Sequence, residues 1–279
     1  GEGMSKDLLL EIGTEEVPAH VMPHLLADLE RLAGDMFAEH RLAYENLRTI
    51  GTPRRTALLV TGLAERQEDV STETRGPSVA IAFDAEGNPT KAGTGFARGQ
   101  GIEPSELIQR DGYVYASVHE QGAETAQLLT ELLPELIRAI PLPNSMRWGD
   151  LDFRFIRPIR WIVALYGTDV VPFALANVTS GNTSRGHRTL APQDFVIASP
   201  AAYEAACEKA YIIVDQERRR AMITEQIAET AKAAGGTAEI TPDLLEEVLY
   251  LVEYPTALSG AFEEKYLALP AETVITPMR

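Results

Sequence analysis

The sequence predicts an α+β fold with mixed, mainly antiparallel sheets and helices packed against them. Short apolar and β-branched runs predict strands, and longer segments with leucines at helical spacing predict helices. These segments follow one another without the regular strand–helix–strand rhythm of a parallel sheet, which favours α+β over α/β. The composition, with 45% hydrophobic and 24% charged residues, is typical of folded proteins and excludes collagen-like and low-complexity classes.

The length of 279 residues predicts two domains. We place them at residues 4–141 and 142–279, with a boundary near Pro141–Asn144. A single compact unit is the alternative, because no low-complexity linker forces the division. Gly1–Gly3 precede Met4 and are interpreted as a remnant of expression, outside the fold.

In the first half of the chain, apolar or alternating runs predict strands over Leu8–Ile12, Thr56–Leu63, Val79–Phe83 and Tyr113–His119. A helix is predicted to start near Pro18 and Pro23, because proline is tolerated in a first helical turn. Its apolar stripe consists of Leu25, Leu29, Leu32 and Met36. Thr125–Ile140 predicts a second helix, in which Pro134 should cause a kink or a break.

In the second half, Ile159–Leu165 and Val170–Leu175 predict a hairpin, because a turn-like Tyr-Gly-Thr-Asp sequence separates them. A helix from Ser199 to about Lys209 and a strand over Tyr211–Val214 follow. Two further helices are predicted from their caps, one from Asp215 to Ala234 and one from Thr241-Pro242 through Leu244–Val252.

The chain carries 25 basic and 41 acidic residues, a net charge of −16. This balance argues against adhesion to nucleic acid or anionic membranes through the whole surface. Apolar runs such as Trp161–Tyr166 are far shorter than the roughly 20 residues that span a bilayer. The chain opens without a basic and then apolar leader, and its one cysteine, Cys207, cannot form an internal disulfide. We therefore expect a cytoplasmic protein.

Basic charge is concentrated in one segment, Leu142–Leu190. It contains six arginines, three acidic residues and no lysine, so it carries +3 while the rest of the chain carries −19. It also holds both tryptophans, Trp148 and Trp161. Arginine is favoured where phosphate or carboxylate is bound in a planar, bidentate way. The segment is therefore the first candidate for a phosphate-bearing partner, although about half of its arginines are expected to pair with local acids.

Other motifs favour structural interpretations. The glycines of Gly93–Gly99 lack the spacing and the preceding strand of a dinucleotide-binding loop. His20 and His24 have the spacing of a metal pair, but a proline lies between them and no further ligand is evident. Cys207 lies on an alanine-rich segment and is expected to be a buried apolar residue. Glu15-Glu16 is expected to favour a helix N-terminus.

The run Thr179–Arg188 combines hydroxyl, imidazole and guanidinium groups. Such donors suit contacts with the phosphates and riboses of RNA. The alternative is a hydrolytic site, in which His187 would act as a base towards a neighbouring Ser or Thr. That chemistry requires a positioned base and nucleophile, which the sequence does not establish.

A series of short blocks resembles one known family. In chain order the blocks are Glu11–Glu16, Gly51–Arg55, Phe83–Lys91, Gly95–Arg98, Met146–Gly149, Phe155–Trp161, Thr183–Arg188, Leu244–Val248 and Val252–Pro255. Together they resemble the beta subunit of bacterial heterotetrameric glycyl-tRNA synthetase, from about Lys6 to Arg279. Blocks in a fixed order are more specific than any one of them alone.

The resemblance implies a division of labour. In this family the alpha subunit activates glycine with ATP and Mg²⁺, and beta mainly contributes tRNA recognition, so no cofactor is expected in this chain. The implied partners are the alpha subunit and tRNA(Gly), with neither DNA nor a membrane expected. The family's beta subunit continues beyond Met278-Arg279 into HD-like and anticodon-binding regions. Its N-terminal part is similar to the B3/B4 domain of phenylalanyl-tRNA synthetase. Arg160 stands where the family has histidine.

The expected tRNA contacts lie in and near the arginine-rich segment: Arg147, Trp148, Arg157, Arg185, His187 and Arg188, with Arg54 and Arg55 behind them. Arginine would hold phosphate while Trp148 stacks on an unpaired base. No catalytic residue or metal ligand is assigned, and the chain alone is expected to be inactive. Two alternatives stay open: a scaffold that docks the alpha subunit or the rest of beta, and an editing-like hydrolase suggested by the B3/B4 similarity.

Overall fold

The computed structural model describes residues 4–141, 155–255 and 273–277, and it confirms the α+β class. The strands are β1 Ser5–Thr14, β2 Asn46–Thr52, β3 Arg55–Ala64, β4 Val70–Ser78, β5 Ile108–Arg110, β6 Tyr113–Glu120, β7 Ile159–Tyr166, β8 Asp169–Val170, β9 Ala174–Leu175, β10 Val178–Gly181, β11 Thr183–Arg185, β12 Asp194–Val196, β13 Gly236–Ile240 and β14 Thr273–Pro277. The α-helices are α1 Met22–Glu39, α2 Val79–Ala82, α3 Lys91–Gly99, α4 Thr125–Ala139, α5 Tyr203–Lys209, α6 Gln216–Ala233 and α7 Pro242–Leu249.

The chain folds into two compact units. Arg66–Glu124 forms one, which we call the small unit, and the chain before and after it forms the large unit. The small unit is therefore an insertion between β3 and α4. The boundary predicted near Pro141–Asn144 lies, from residue 142 onwards, outside the described residues, and it stays a prediction.

The large unit is built on one sheet with the strand order β2-β3-β1-β7-β10-β9, and β8 pairs with β7. Its pairs are antiparallel except for the parallel pair β7–β10. The central strand β1 is buried on both faces, because Leu8 and Leu10 belong to one apolar cluster and Leu9 belongs to the other. Glu11 shares the face of Leu9 by strand alternation, so its carboxylate lies inside the protein.

Helices α1 and α4 cover the first of these faces. Leu25 and Leu29 of α1 are buried, and Leu32 and Met36 pack against the same cluster, as the leucine spacing predicts. Helix α4 runs through Pro134 as one helix. Within the described ranges, no helix combines the length and apolar character needed to cross a membrane.

Local capping signals are confirmed where the sequence predicts them. The Asp215 side chain accepts a hydrogen bond from the backbone N–H of Glu217 at 2.9 Å and begins α6. The Thr241 hydroxyl accepts one from the N–H of Leu244 at 3.2 Å and begins α7. Both caps pair N–H groups that the first helical turn leaves without a backbone partner.

The predicted strand at Val79–Phe83 is wrong: Val79–Ala82 forms the short helix α2. The Thr90 hydroxyl donates to the Ile81 carbonyl at 2.5 Å, and α3 packs so closely that a Cβ on Gly93 would lie 2.2 Å from the Ala82 carbonyl oxygen. A short apolar run buries equally well as a strand or as a helical turn. The contact with α3 decides between them, and it lies outside the run itself.

The predicted strand at Tyr211–Val214 is also wrong. Ile212–Val214 is buried but joins no sheet. Its backbone is paired in other ways: the N–H of Ile213 donates to the Glu253 carbonyl at 2.7 Å, and the Ile213 carbonyl accepts from Arg219 Nη1 at 2.7 Å. The segment therefore satisfies its backbone groups with a buried guanidinium and a loop instead of a neighbouring strand.

The hairpin prediction is confirmed in part. Strand β7 pairs with β8 across Gly167. The predicted second strand, Val170–Leu175, is divided, because β8 ends at Val170 and Ala174–Leu175 pairs instead with β10. The predictions also missed β2, whose residues combine threonine, arginine and glycine without a simple apolar alternation.

The small unit contains a three-stranded antiparallel sheet with the order β4-β6-β5. Its interior is small and is formed by Ala82 of α2, Ala97 of α3, and Val114 and Ala116 of β6, all with 0% exposure. The two helices thus cover one face of the sheet. Tyr113 and Tyr115 alternate with Val114 and Ala116 and lie on the opposite face.

Candidate nucleic-acid interface

A buried polar centre lies beneath the arginine-rich surface of the large unit. The Glu11 carboxylate on β1 accepts a hydrogen bond from Trp161 Nε1 on β7 at 2.6 Å, and also from the hydroxyls of Ser184 and Tyr203. The Trp161 ring lies flat against β1 where Gly13 is its register partner, and a Cβ on Gly13 would lie 1.9 Å from the ring. Glycine is therefore required there to admit the tryptophan.

Arg55 connects this centre to a second buried carboxylate. Its Nε donates to Glu253 Oε2 at 2.7 Å, its Nη1 to Ser184 Oγ at 3.0 Å, and Nη1 also lies 3.6 Å from Glu11 Oε2. Its Nη2 donates to the carbonyl of Arg185 at 2.6 Å. The guanidinium thus bridges β3, the segment that carries Glu253, and residues 184–188. Residues 184–188 comprise the end of β11 and the loop that follows it, and we call them the 184–188 loop.

The charges in this centre stabilise one another. Burial alone would lower the pKa of Arg55, but Glu253 and Glu11 outweigh it and raise the pKa above its ordinary value. Burial alone would raise the pKa of the Glu253 carboxyl, but Arg55, and then the hydrogen bond from Thr52 and the charge of Arg54, hold it below its ordinary value. Both groups are therefore charged at neutral pH.

Arg54 lies one residue earlier and nearer the surface, with 11% of its side chain exposed. Its Nη1 donates to Glu253 Oε1 at 3.1 Å and to the Gly186 carbonyl at 3.2 Å. Burial lowers the pKa of Arg54 and outweighs the opposing effect of Glu253. Arg54 and Arg55 together hold the backbone carbonyls of residues 185 and 186, so the turn between β2 and β3 shapes the loop that carries the next basic residues.

That loop presents Arg185 and Arg188 to solvent and turns His187 partly inward. The Arg185 Cζ lies 5.1 Å from the centre of the Trp161 ring, so the tryptophan supports its guanidinium from below. His187 Nδ1 accepts hydrogen bonds from the backbone N–H groups of Thr189 and Leu190 at 3.2 and 3.1 Å. Burial lowers the pKa of His187 from its ordinary value, which favours the neutral imidazole.

The same geometry gives little support to His187 as a hydrolytic base. The nearest hydroxyl, that of Thr189, lies 3.3 Å from Nδ1, which is the nitrogen that already accepts two backbone N–H groups. Among the described side chains that hydrogen-bond to His187, none is a carboxylate that would orient the ring. His187 therefore shapes the loop, and its second nitrogen is the one left to act on a ligand.

Arg157, Arg160 and Arg188 surround the segment that follows β1. Arg160 Nε donates to Glu15 Oε1 at 2.8 Å, and Arg188 lies 3.7 Å from Glu15 and 3.4 Å from Glu16. Arg157 Nε donates to the Glu16 backbone carbonyl at 2.9 Å. Glu15, Glu16, Arg157, Pro158 and Arg188 line an open cleft of about 400 Å³. The expectation that Glu15-Glu16 serves a helix terminus is therefore wrong: the helix begins later, at Met22.

These surface ion pairs are exposed, with 58% of the Arg188 side chain and 60% of the Glu16 side chain accessible. Exposed pairs of this kind contribute about 0–1 kcal/mol each. A polyanion that approaches the cleft can therefore exchange a phosphate for the carboxylate at small cost. The guanidinium groups of Arg157 and Arg188 line the cleft, and guanidinium donors are suited to phosphate recognition.

The described candidate contacts differ in exposure. Arg185 and Arg188 lie at the surface, and Arg54, Arg157 and His187 are partly covered. Arg55 has 0% exposure, so its placement favours a structural role beneath the others. Arg147 and Trp148 lie outside the described residues.

Sequence reasoning missed the residues that hold the site together: Glu11, Ser184, Tyr203 and Glu253. Glu11 is the one available signal, because a carboxylate within an apolar strand run requires a buried partner. Cys207 is buried next to Tyr203, and burial, followed by the charge of Glu11, raises its thiol pKa well above the ordinary value. Its burial confirms the prediction of a buried apolar residue. Within the described ranges, no group of three potential ligands is placed to hold a metal ion.

Comparison with known proteins supplies the family. The family model described as glycyl-tRNA synthetase beta subunit matches residues 8–279. The chain is 50% identical to the glycine–tRNA ligase beta subunit of Syntrophotalea carbinolica, over 99% of this chain and 41% of that protein. It is 48% identical to the corresponding subunit of Moorella thermoacetica, over 99% of this chain and 40% of that protein. The chain therefore spans about two fifths of these relatives, and it belongs to the glycyl-tRNA synthetase beta subunit family.

Proposed function

We propose that this chain supplies tRNA recognition to the synthesis of glycyl-tRNA(Gly) from ATP, glycine and tRNA(Gly), and that the alpha subunit carries out the adenylate chemistry. Relatives matched over 99% of the chain are named glycine–tRNA ligase beta subunits, which supports the reaction. The observation that carries the tRNA assignment is the set of exposed arginines around the Glu15–Glu16 cleft. The backbone that carries Arg185 and Arg188 is held by Arg55, which pairs with Glu11 and Glu253, and by Arg54.

The physical basis is the contrast between a backbone segment that the buried centre holds and surface ion pairs that can exchange their partners. The carbonyls of Arg185 and Gly186 are fixed by Arg55 and Arg54, so the 184–188 loop does not need to be ordered when a ligand binds. Arg185 and Arg188 retain much of their exposure and bind phosphate through charge-assisted hydrogen bonds. On a chain with a net charge of −16, a local group of arginines also directs a polyanion to one place.

The test uses full-length beta with the alpha subunit and measures the Kd for tRNA(Gly) at several salt concentrations. Arg188→Gln and Arg185→Gln should each weaken binding by about 1–2 kcal/mol. Each should also reduce the steepness of the plot of log affinity against log salt concentration by about one. The matched control is Arg218→Gln, which removes another exposed arginine, whose partner is Glu208 on α5. It should leave the Kd close to wild type.

The scaffold and hydrolase alternatives have distinct outcomes in the same experiments. A scaffold role would leave tRNA affinity unchanged in the Arg185 and Arg188 variants while the alpha subunit dissociates more readily. Deacylation of mischarged tRNA that is lost in His187→Gln would support an editing-like hydrolase. Either result without a loss of tRNA affinity would contradict the proposed function.

A further inference from the structure

The small unit carries a second surface that the cleft does not include. Its sheet is covered by α2 and α3 on one face, and the opposite face, which we call the tyrosine face, is open to solvent. Strand register places Arg75 and Ile108 on either side of Tyr115, and it places Arg110 beside Tyr113. All residues of this unit are described, so the composition of the face is known in full.

Two arginines stack on the two tyrosines in a crossed arrangement. The Arg75 Cζ lies 3.8 Å from the centre of the Tyr113 ring, and the Arg110 Cζ lies 4.3 Å from the centre of the Tyr115 ring. Each guanidinium therefore has one planar side on a phenol ring, while Arg75 is exposed and 51% of the Arg110 side chain remains accessible. The outward sides of the two guanidinium groups therefore form two flat cationic surfaces on the same face of the sheet.

The charge of this face differs from that of the unit around it. The small unit has five basic and ten acidic residues. The carboxylates within its three strands are Glu73, which pairs with Arg110, and Glu120, which alternation places on the other face. Ser71, Ser117 and His119 complete the row of side chains on the tyrosine face, and at its end the carboxylate of Asp69, just before β4, lies 3.6 Å from His119 Nε2.

We propose that the tyrosine face binds unpaired RNA nucleotides, with two bases stacking on the Arg75–Tyr113 and Arg110–Tyr115 pairs and the guanidinium edges contacting phosphate. Unpaired bases stack on aromatic rings and on guanidinium planes, and phosphate matches the fork of arginine. A stable protein interface would need a larger apolar centre. The tyrosine face offers one exposed large apolar side chain, Ile108, at 43%.

The proposal shares with the proposed function the expectation of an RNA partner, but it uses a separate surface and a different physical contact. Binding at the cleft depends on charge, whereas binding here depends mainly on stacking. With two arginines on the face, the slope of log affinity against log salt should be shallow, about −1.4 for a single strand. The two sites can therefore be distinguished by salt as well as by mutation.

The experiment measures binding of a labelled 12-nucleotide single-stranded RNA and of a 12-base-pair RNA duplex to full-length beta. Tyr113→Ala combined with Tyr115→Ala should raise the Kd for the single strand about tenfold or more, and should change the Kd for the duplex little. Tyr113→Phe with Tyr115→Phe keeps both rings and should bind like wild type. The matched control, Ile81→Ala, removes an exposed apolar side chain on α2 and should have no effect.

If the alanine pair melts at the wild-type temperature and binds the single strand equally well, the proposal is overturned. If the alanine pair melts earlier, Arg75→Gln with Arg110→Gln replaces it, because these side chains are exposed, and unchanged affinity in that variant overturns the proposal as well. Loss of alpha-subunit binding with unchanged RNA affinity would identify the face as a protein interface and also overturn it.

The two proposals fail separately. Single-strand binding that needs the tyrosines but not Arg188 supports the tyrosine face even if the cleft makes no contact with tRNA. If tRNA binding needs Arg188 and the single-stranded RNA does not bind at all, the proposal for the cleft stands and the proposal for the tyrosine face is rejected.

Discussion

Arg54 and Arg55 are neighbours in the sequence, and the fold uses them differently. Arg55 points into the large unit, where Glu253, Glu11 and Ser184 surround it, and Arg54 lies at the edge of the same centre. Arg54 lies in the turn before β3, whereas Arg55 is the first residue of the strand. Both pair with Glu253, which lies about 200 residues further along the chain, but only Arg55 also reaches Ser184 and Glu11.

Glu253→Gln tests how far the centre depends on its carboxylate. The variant leaves the buried Arg55 with Glu11 as its remaining carboxylate, and losing one partner of a buried pair costs about 3–5 kcal/mol. The free energy of unfolding at pH 7, measured in urea, should fall by about that amount. Glu208→Gln, which removes an exposed carboxylate that pairs with Arg218, is the control and should cost less than about 1 kcal/mol.

The same variant tests a predicted dependence of stability on pH. The pKa of Glu253 is lower in the folded protein than its ordinary value of 4.5. The stability that the carboxylate contributes is therefore present above pH 4.5 and is lost as the pH falls through the folded value. The difference between wild type and Glu253→Gln should be constant from pH 7 to about pH 5 and should shrink below pH 4.5. A difference that stays the same down to pH 3 would contradict this account.

At the scale of elements, one buried arginine supplies hydrogen bonds that a neighbouring strand would otherwise make to the 212–214 segment. Arg219 of α6 donates to the carbonyls of Leu249 and Gly51 at 2.8 Å each and to that of Ile213 at 2.7 Å. It also lies over the Tyr250 ring at 5.6 Å. Burial lowers the pKa of Arg219 to about 10, so it remains charged at neutral pH. One side chain thus joins the ends of β2 and α7 to the extended 212–214 segment.

Arg219→Met should destabilise the protein by roughly 3 kcal/mol or more, because several buried carbonyls lose their donors at about 1–3 kcal/mol each. Hydrogen exchange at the Ile213 amide should accelerate, since its segment loses the side chain that holds it. Arg220→Met is the matched control: that neighbouring arginine pairs with Glu217 and Glu246 near the surface. Equal stability of the two variants would show that the carbonyl contacts contribute little.

At the scale of the whole molecule, the chain spans about two fifths of its relatives. Adenylate formation needs a site that holds ATP, metal and glycine together, normally with a phosphate cradle and carboxylates for the metal. The described residues contain no cluster placed to hold a metal ion, and Gly93–Gly99 forms part of the helix α3 within the small unit. The proposed division of labour assigns this chemistry to the alpha subunit.

This division predicts the activity of mixtures. The chain alone should not exchange pyrophosphate into ATP in a glycine-dependent way, and addition of the alpha subunit should give exchange but little charging of tRNA(Gly). Full-length beta with alpha should give both, and it serves as the positive control. Exchange by the chain alone would contradict the division of labour, and efficient charging by the chain with alpha would show that the rest of beta is not needed to hold the tRNA.

Features that depend on near neighbours in the chain follow from the amino-acid sequence alone. The α1 stripe and the Asp215 and Thr241 caps result from periodicity and from hydrogen bonds that span a few residues. The concentration of arginine in Leu142–Leu190 is likewise a property of the sequence. The ordered blocks indicate the family, which the comparisons confirm.

The division of the arginines between core and surface, in contrast, is set by contacts between distant parts of the chain. Glu11 meets Trp161 across 150 residues and Ser184 across 173. Local sequence does not encode such pairs, because the low dielectric of the interior stabilises a charge only where another part of the chain supplies its partner. The same reason explains why Tyr211–Val214 is no strand: the groups that satisfy its backbone are Arg219 and Glu253, which local periodicity cannot show.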